Sequence, residues 1–239
     1  MSTDTKVHVV LVPGFWIGGW AWDDVVGPLR DAGLEPHAVT LPGLEEAPGD
    51  VGGLTRADHA DAVASLVGGL DGDVVLVGHS GGGPVVQEVA DRQPARIRRL
   101  VFVDTGPLVD GATLSPPLPD GVDGIPLPTW DELAEQGSSI DGISEEGLAR
   151  FRERARPQPA GVATGEVRVS NPDRLRIPAT AICTSIPSAV LREMASHDAP
   201  LHTELLDYDV AFVDLPTGHW PMFSRPVELA AAIAEAARA

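Results

Sequence analysis

The sequence predicts an α/β fold: a mostly parallel sheet of about six strands, with helices on both faces and an inserted cap. Three observations predict it. Short apolar runs alternate with segments of helical period along most of the chain. The runs are short and mostly β-branched or otherwise apolar, as buried parallel strands are. One stretch, residues 105–172, breaks the rhythm and holds nine of the 22 prolines.

The strands are expected at residues 7–12, 35–40, 73–77, 99–103, 179–184 and 209–215. Between them, Thr55 reads as the N-cap of a helix reaching about Leu70, with Ala57, Ala60, Val63, Val67 and Leu70 three or four apart. Residues 81–92 and 226–236 read as further helices. In the proline-rich stretch, Pro116, Pro117, Pro119, Pro126 and Pro128 remove backbone donors, so no central strand is expected. Helices are expected there only at 129–136 and 144–156. The core is thus assigned to residues 1–104 and 173–239, and the cap to residues 105–172.

A length of 239 residues fits one domain, and 43% hydrophobic with 22% charged residues is ordinary for a chain that buries a core. The formal net charge of -18 opposes nucleic acid and anionic lipid as partners, since both are held by clustered cations. Lys6 is the only lysine, which excludes a nucleotide-binding loop lysine, a Schiff base and a Tyr-x-x-x-Lys site. Cys183 is alone, so disulfides, thiolate zinc clusters and redox pairs are excluded, and a buried core thiol is expected. The N-terminus lacks a basic region followed by a long apolar run, and the expectation is a cytoplasmic protein without membrane attachment. A homodimer is compatible with the sequence, which fixes no oligomeric state.

The run 73–77 leads directly into Gly78-His79-Ser80-Gly81-Gly82 and a helix carrying Val85, Val86 and Val89. Gly-x-Ser-x-Gly in strand-turn-helix context is the arrangement of a serine nucleophile on a tight turn, where side chains at the glycines would crowd the backbone. A serine hydroxyl needs a base, and imidazole is the usual one. Among seven histidines His219 is favoured, because it follows the last strand and loops at strand carboxyl ends converge on one edge of a parallel sheet. His79 is expected to pack beside the turn. His197 and His202 lack a third ligand at suitable spacing, so no metal site is expected.

With these motifs the chain resembles the α/β-hydrolases. Residues 9–22, including Pro13-Gly14-Phe15-Trp16-Ile17-Gly18-Gly19-Trp20, are similar to the first loop of the small methylesterase and hydroxynitrile-lyase branch. The resemblance implies an oxyanion hole from the backbone amides of Gly81 and Phe15. It also implies an acid after the run 179–184, yet no carboxylate appears there before Glu193. Asp104, at the end of the run 99–103, keeps the order Ser80, Asp104, His219 and is preferred as the acid; Asp214 is the reserve, and a Ser80–His219 dyad a third arrangement.

The expected activity is serine hydrolysis of a small apolar carboxylic ester or lactone through an acyl-enzyme, with no cofactor. Phe15, Trp16, Ile17, Trp130, Trp220 and Phe223 are expected near the mouth, favouring uncharged or cationic substrates. The alternatives are a lyase or cyclase on the same fold, or a ligand receptor built on a hydrolase scaffold. Without a pocket lysine the hydroxynitrile-lyase subtype is disfavoured, and serine at position 80 disfavours the family's carboxylate-nucleophile enzymes.

Overall fold

The computed structural model describes residues 6–196 and 203–239. In chain order the elements are β1 (Val7–Val12), α1 (Asp23–Asp31), β2 (Glu35–Ala38), α2 (Arg56–Gly68), β3 (Asp73–His79), α3 (Gly82–Arg92) and β4 (Ile97–Val103). An insert carries β5 (Gly124–Ile125), α4 (Trp130–Glu135), α5 (Glu145–Arg154), β6 (Gln158–Pro159) and α6 (Ala160–Thr164). The chain returns through β7 (Ala179–Cys183), α7 (Ser188–Ser196), β8 (Val210–Asp214), α8 (Pro221–Ser224) and α9 (Pro226–Arg238).

Six strands form one sheet in the order β2-β1-β3-β4-β7-β8, and every pairing in it is parallel. Successive side chains leave opposite faces of a strand, which divides the core in two. Val9, Leu11, Val75, Val77, Val101 and Val103 pack on one face with α1 and α9. Val10, Val12, Leu76, Leu100 and Phe102 pack on the other with Val63 and Val67 of α2 and Val85, Val86 and Val89 of α3. The sheet and its two helical layers are those the apolar runs predict.

Thr55 caps α2 as expected: its hydroxyl accepts from the Asp58 amide while the Asp58 carboxylate accepts from the Thr55 amide at 2.8 Å. The inward face differs from the expected one. Arg56 and His59 are buried and Ala57 is exposed. Arg56 pairs with Glu88 of α3, both side chains 2% exposed, and His59 Nε2 meets the Pro42 carbonyl at 2.9 Å. Helices α1 and α7 were not anticipated from the sequence; α1 carries Pro28 inside it, against helix periodicity.

The insert lies over one end of the sheet and is fastened to it. Gln87 of α3 holds both the amide and the carbonyl of Leu108, at 2.9 and 2.7 Å. Asp91 accepts from the amides of Ser170 and Asn171 at 2.8 and 2.7 Å. Leu133 of α4 and Phe151 of α5 are fully buried within the core on the α1 and α9 side. The ring of Phe151 sits 5.2 to 5.5 Å from those of Trp220, Phe223 and Trp130. The short β5–β6 pair is antiparallel and separate from the main sheet, consistent with Pro159 in β6.

Candidate active site

Register places the site. Val12 of β1 pairs with Gly78 of β3, His79 with Val103 of β4, and Val103 with Ile182 of β7. The loops that follow these strands therefore leave the sheet along one edge, and bring Phe15, Ser80, Asp104 and Ser185 together from distant parts of the chain.

Ser80 has φ of 49°, in the left-handed region, on the turn between β3 and α3. The turn closes only around glycines. A Cβ on Gly78 would lie 2.7 Å from the Gly82 carbonyl oxygen, and one on Gly82 would lie 2.6 Å from that of Pro13. The turn is pinned from below, where the Ser80 amide donates to the Val103 carbonyl at 3.2 Å.

His219 Nε2 lies 2.9 Å from Ser80 Oγ, and His219 Nδ1 lies 2.6 Å from Asp104 Oδ2. The loop bearing His219 is held by the insert: its amide donates to the Ser139 carbonyl at 2.7 Å, and that of Gly218 to the Asp141 carbonyl at 3.2 Å. Asp104 is itself left-handed, with φ of 48°. Its Oδ1 accepts from the amides of Thr184 and Ser185 at 3.0 and 2.9 Å, and its Oδ2 from the Ser185 hydroxyl at 2.5 Å. Burial alone would raise the Asp104 carboxyl, but the bonds from His219, Ser185 and Thr184 outweigh it and hold the group well below the usual carboxylate range.

Asp214, the reserve acid, is placed elsewhere. Its carboxylate accepts the amide and hydroxyl of Ser188, each at 2.7 Å, at the start of α7. These bonds lower its carboxyl and leave it exposed to solvent. His79 packs beside the turn as expected, fully buried, with Nε2 at 2.7 Å from the His219 carbonyl. Burial and the nearby His219 push its imidazole down to about 3.

Among the described residues the amides of Phe15 and Gly81 meet no protein acceptor, and both residues line the cleft with Ser80. The loop holding Phe15 is fixed by the insert: Trp16, with φ of 67°, donates from Nε1 to the Ile125 carbonyl at 3.0 Å, and its carbonyl accepts the Arg156 amide at 2.9 Å.

The cleft has a volume of about 570 Å³. Its walls include Phe15, Trp16, Leu108, Leu114, Pro116, Leu118, Ile125, Pro128 and Ile186, and among the described residues its only ionisable lining groups are Asp104 and His219. Of the aromatic and aliphatic residues assigned to the mouth, Ile17, Trp130, Trp220 and Phe223 do not line it. Ile17 is fully buried and Trp220 is 2% exposed, both in the core, because each turns toward the helical layer. Trp130 is covered by Arg152, 4.1 Å above its ring, and Phe223 stacks on Trp20 at 5.6 Å. A second hollow of about 610 Å³, between Trp20, Thr40, Glu45, Arg154 and Arg156, contains none of the groups around Ser80.

Lys6 precedes β1, at the sheet edge opposite Ser80, and pairs with Glu35 at 3.7 Å. Cys183 is buried, and burial first, then the charges of Asp214 and Asp104, pushes its thiol up to about 12. No group of three or more His, Cys, Asp or Glu suited to a metal occurs among the described residues, while His197 and His202 lie outside them. No described helix is long and apolar enough to cross a membrane.

Residues 9–232 match the alpha/beta hydrolase family. The chain belongs to that family. Over 100 residues, 41% of each chain, it is 40% identical to a "Carbendazim hydrolyzing esterase" of Nocardioides sp.. It is 29% identical to a "Pyrethroid hydrolase" of Sphingobium wenxiniae, over 98% of this chain and 89% of that one. The solved structure of a methylesterase from Arabidopsis superposes with a TM-score of 0.77 at 21% identity, covering 97% and 99% of the two chains, a likeness of fold.

Within this α/β-hydrolase, several contacts at the site were not legible in the sequence. Ser185 and the Thr184 amide touch Asp104, and the Ser139 and Asp141 carbonyls hold the His219 loop, contacts that carry no local pattern. The cleft walls were partly signalled: Pro116 and Pro128 belong to the proline run, where stiff apolar backbone without donors suits a solvent-exposed wall.

Proposed function

We propose that the chain is a serine esterase that cleaves neutral, apolar carboxylic esters or lactones through an acyl-enzyme on Ser80. The observation that carries this is the continuous line from Ser80 Oγ through His219 to Asp104, at 2.9 and 2.6 Å, opening into an apolar cleft. Ser80 Oγ attacks the acyl carbon and its proton passes to His219 Nε2, while Asp104 accepts from Nδ1 and stabilises the imidazolium. The amides of Phe15 and Gly81 receive the developing oxyanion. When the tetrahedral adduct collapses, the leaving alkoxide takes the proton from Nε2. Water, deprotonated by the same nitrogen, then attacks the acyl carbon, and the carboxylic acid leaves as Ser80 recovers its proton.

Residues 105–172 act in this reading as the cap, because they supply most of the apolar wall and tether the loops of Phe15 and His219. A cleft without Lys or Arg in its lining has no partner for a substrate carboxylate or phosphate, which favours uncharged substrates. The esterase and hydrolase names among the relatives point the same way. The test is intact-mass analysis after a fluorophosphonate, with p-nitrophenyl esters of graded acyl length beside it. One adduct per chain, lost in Ser80→Ala together with ester turnover, is the expected result; labelling that persists in Ser80→Ala refutes it.

A further inference from the structure

We infer that the Ser185 hydroxyl is a positioning group that sets the proton affinity of His219 by sharing the carboxylate oxygen on which that imidazole leans. Its catalytic meaning rests on the function proposed above, but its effect on His219 rests on geometry alone.

Asp104 Oδ2 takes two donors, His219 Nδ1 at 2.6 Å and Ser185 Oγ at 2.5 Å, while Oδ1 takes the amides of Thr184 and Ser185. The Asp104 side chain is 4% exposed, so protein donors stand in for solvent around it. An ionised carboxylate only accepts, so the hydroxyl donates. Each donor draws charge from the oxygen it binds, and a second donor on Oδ2 weakens the hold of that oxygen on an imidazolium. Three of the four contacts are fixed by the backbone or by His219. The hydroxyl is the one that a side-chain change removes alone.

The surrounding titratable groups each keep one charge state around neutral pH. From the turn, His79 faces His219 with ring centres 4.9 Å apart, and burial keeps it neutral. From β7, the Cys183 thiol is held neutral by its raised titration. From β8, the Asp214 carboxylate is engaged by Ser188. The insert meets the amides of Gly218 and His219 through the carbonyls of Asp141 and Ser139, and no ionisable residue of the insert lines the cleft.

The test is a proton NMR titration of the His219 Cε1–H, assigned by its disappearance in His219→Gln. Ser185→Ala is expected to raise the midpoint by about 0.5–1 pH unit, and Ser185→Thr to return it to the wild-type value. If Ser185→Ala does not fold, Ser185→Cys, a weaker donor of similar size, is titrated in its place with the same direction expected. A midpoint that stays put or falls on loss of the hydroxyl overturns the inference. The readout needs no turnover, so a wild-type protein without esterase activity refutes the proposed function while the titration still decides the role of Ser185.

Discussion

The imidazole of His79 donates from Nε2 to the backbone carbonyl of His219 at 2.7 Å. The residue before Ser80 thereby holds the main chain of the residue that faces Ser80. Since Nε2 is the donor, the proton is absent from Nδ1, which has no hydrogen-bond partner and lies where a Cβ on Gly14 would come within 2.9 Å. There is no room for a second proton and its solvation.

That arrangement predicts acid sensitivity. His79 titrates at about 3 in the folded protein and near 6.5 when unfolded, so the unfolded chain binds the extra proton and stability falls as pH drops below about 6.5. The slope should reach about 1.4 kcal/mol per pH unit in that window. His79→Gln keeps a donor for the carbonyl but cannot titrate, and urea unfolding between pH 7.5 and 5 should show a flatter dependence. Asp104, whose carboxyl is held below its ordinary 3.8, adds its own loss only at lower pH.

Asp104→Asn should lower kcat on the order of 10²-fold or more with KM little changed, because the amide offers a donor to Nδ1 and selects the wrong tautomer. Asp214→Ala should leave kcat intact and lower Tm slightly through the start of α7, where its carboxylate binds Ser188. Ester kinetics and thermal melts on both variants check the pair; the reverse pattern would move the acid to Asp214.

Gly81→Ala should reduce kcat on the order of 10²-fold while the protein stays folded. The added Cβ would lie 2.5 Å from the Phe15 ring, and moving that ring displaces one of the two amides assigned to the oxyanion. Burst kinetics with a p-nitrophenyl ester would show acylation slowed; an unchanged acylation rate would remove Phe15 from the assignment.

Phe151→Ala should cost about 3–5 kcal/mol in urea unfolding, since the ring is fully buried against Trp220, Phe223 and Trp130. A value below about 1 kcal/mol would mean that the insert folds apart from the core.

The centre of the sheet was legible because β1, β3, β4 and β7 are largely buried and read as apolar runs, and the turn at Ser80 because only glycine fits beside it. Asp104 was reached through the family resemblance, which admits an acid one strand after the nucleophile, and through the chain order Ser80, Asp104, His219, once no carboxylate followed β7. What failed was facing. Trp220 adjoins His219 in sequence, yet its ring turns into the core, and proximity along the chain carries no information on direction. On α2 an apolar period favoured Ala57, whereas Arg56 could turn inward because Glu88 on another helix meets it. A partner that far along the chain leaves no trace near Arg56, and the same holds for Ser185 and Asp104.

Trp16, Ser80 and Asp104, the three non-glycine residues with positive φ among the described residues, all line the cleft. Each left-handed backbone costs about 1 kcal/mol, so the chain is least relaxed where the groups proposed to react stand. On the proposed function, heat tolerance and reactivity are set against each other at these positions. A library of variants selected only for survival at high temperature would gain from Ser80→Gly and drift toward a sturdier, inert scaffold. Selection for turnover would have to be applied alongside to keep the chemistry.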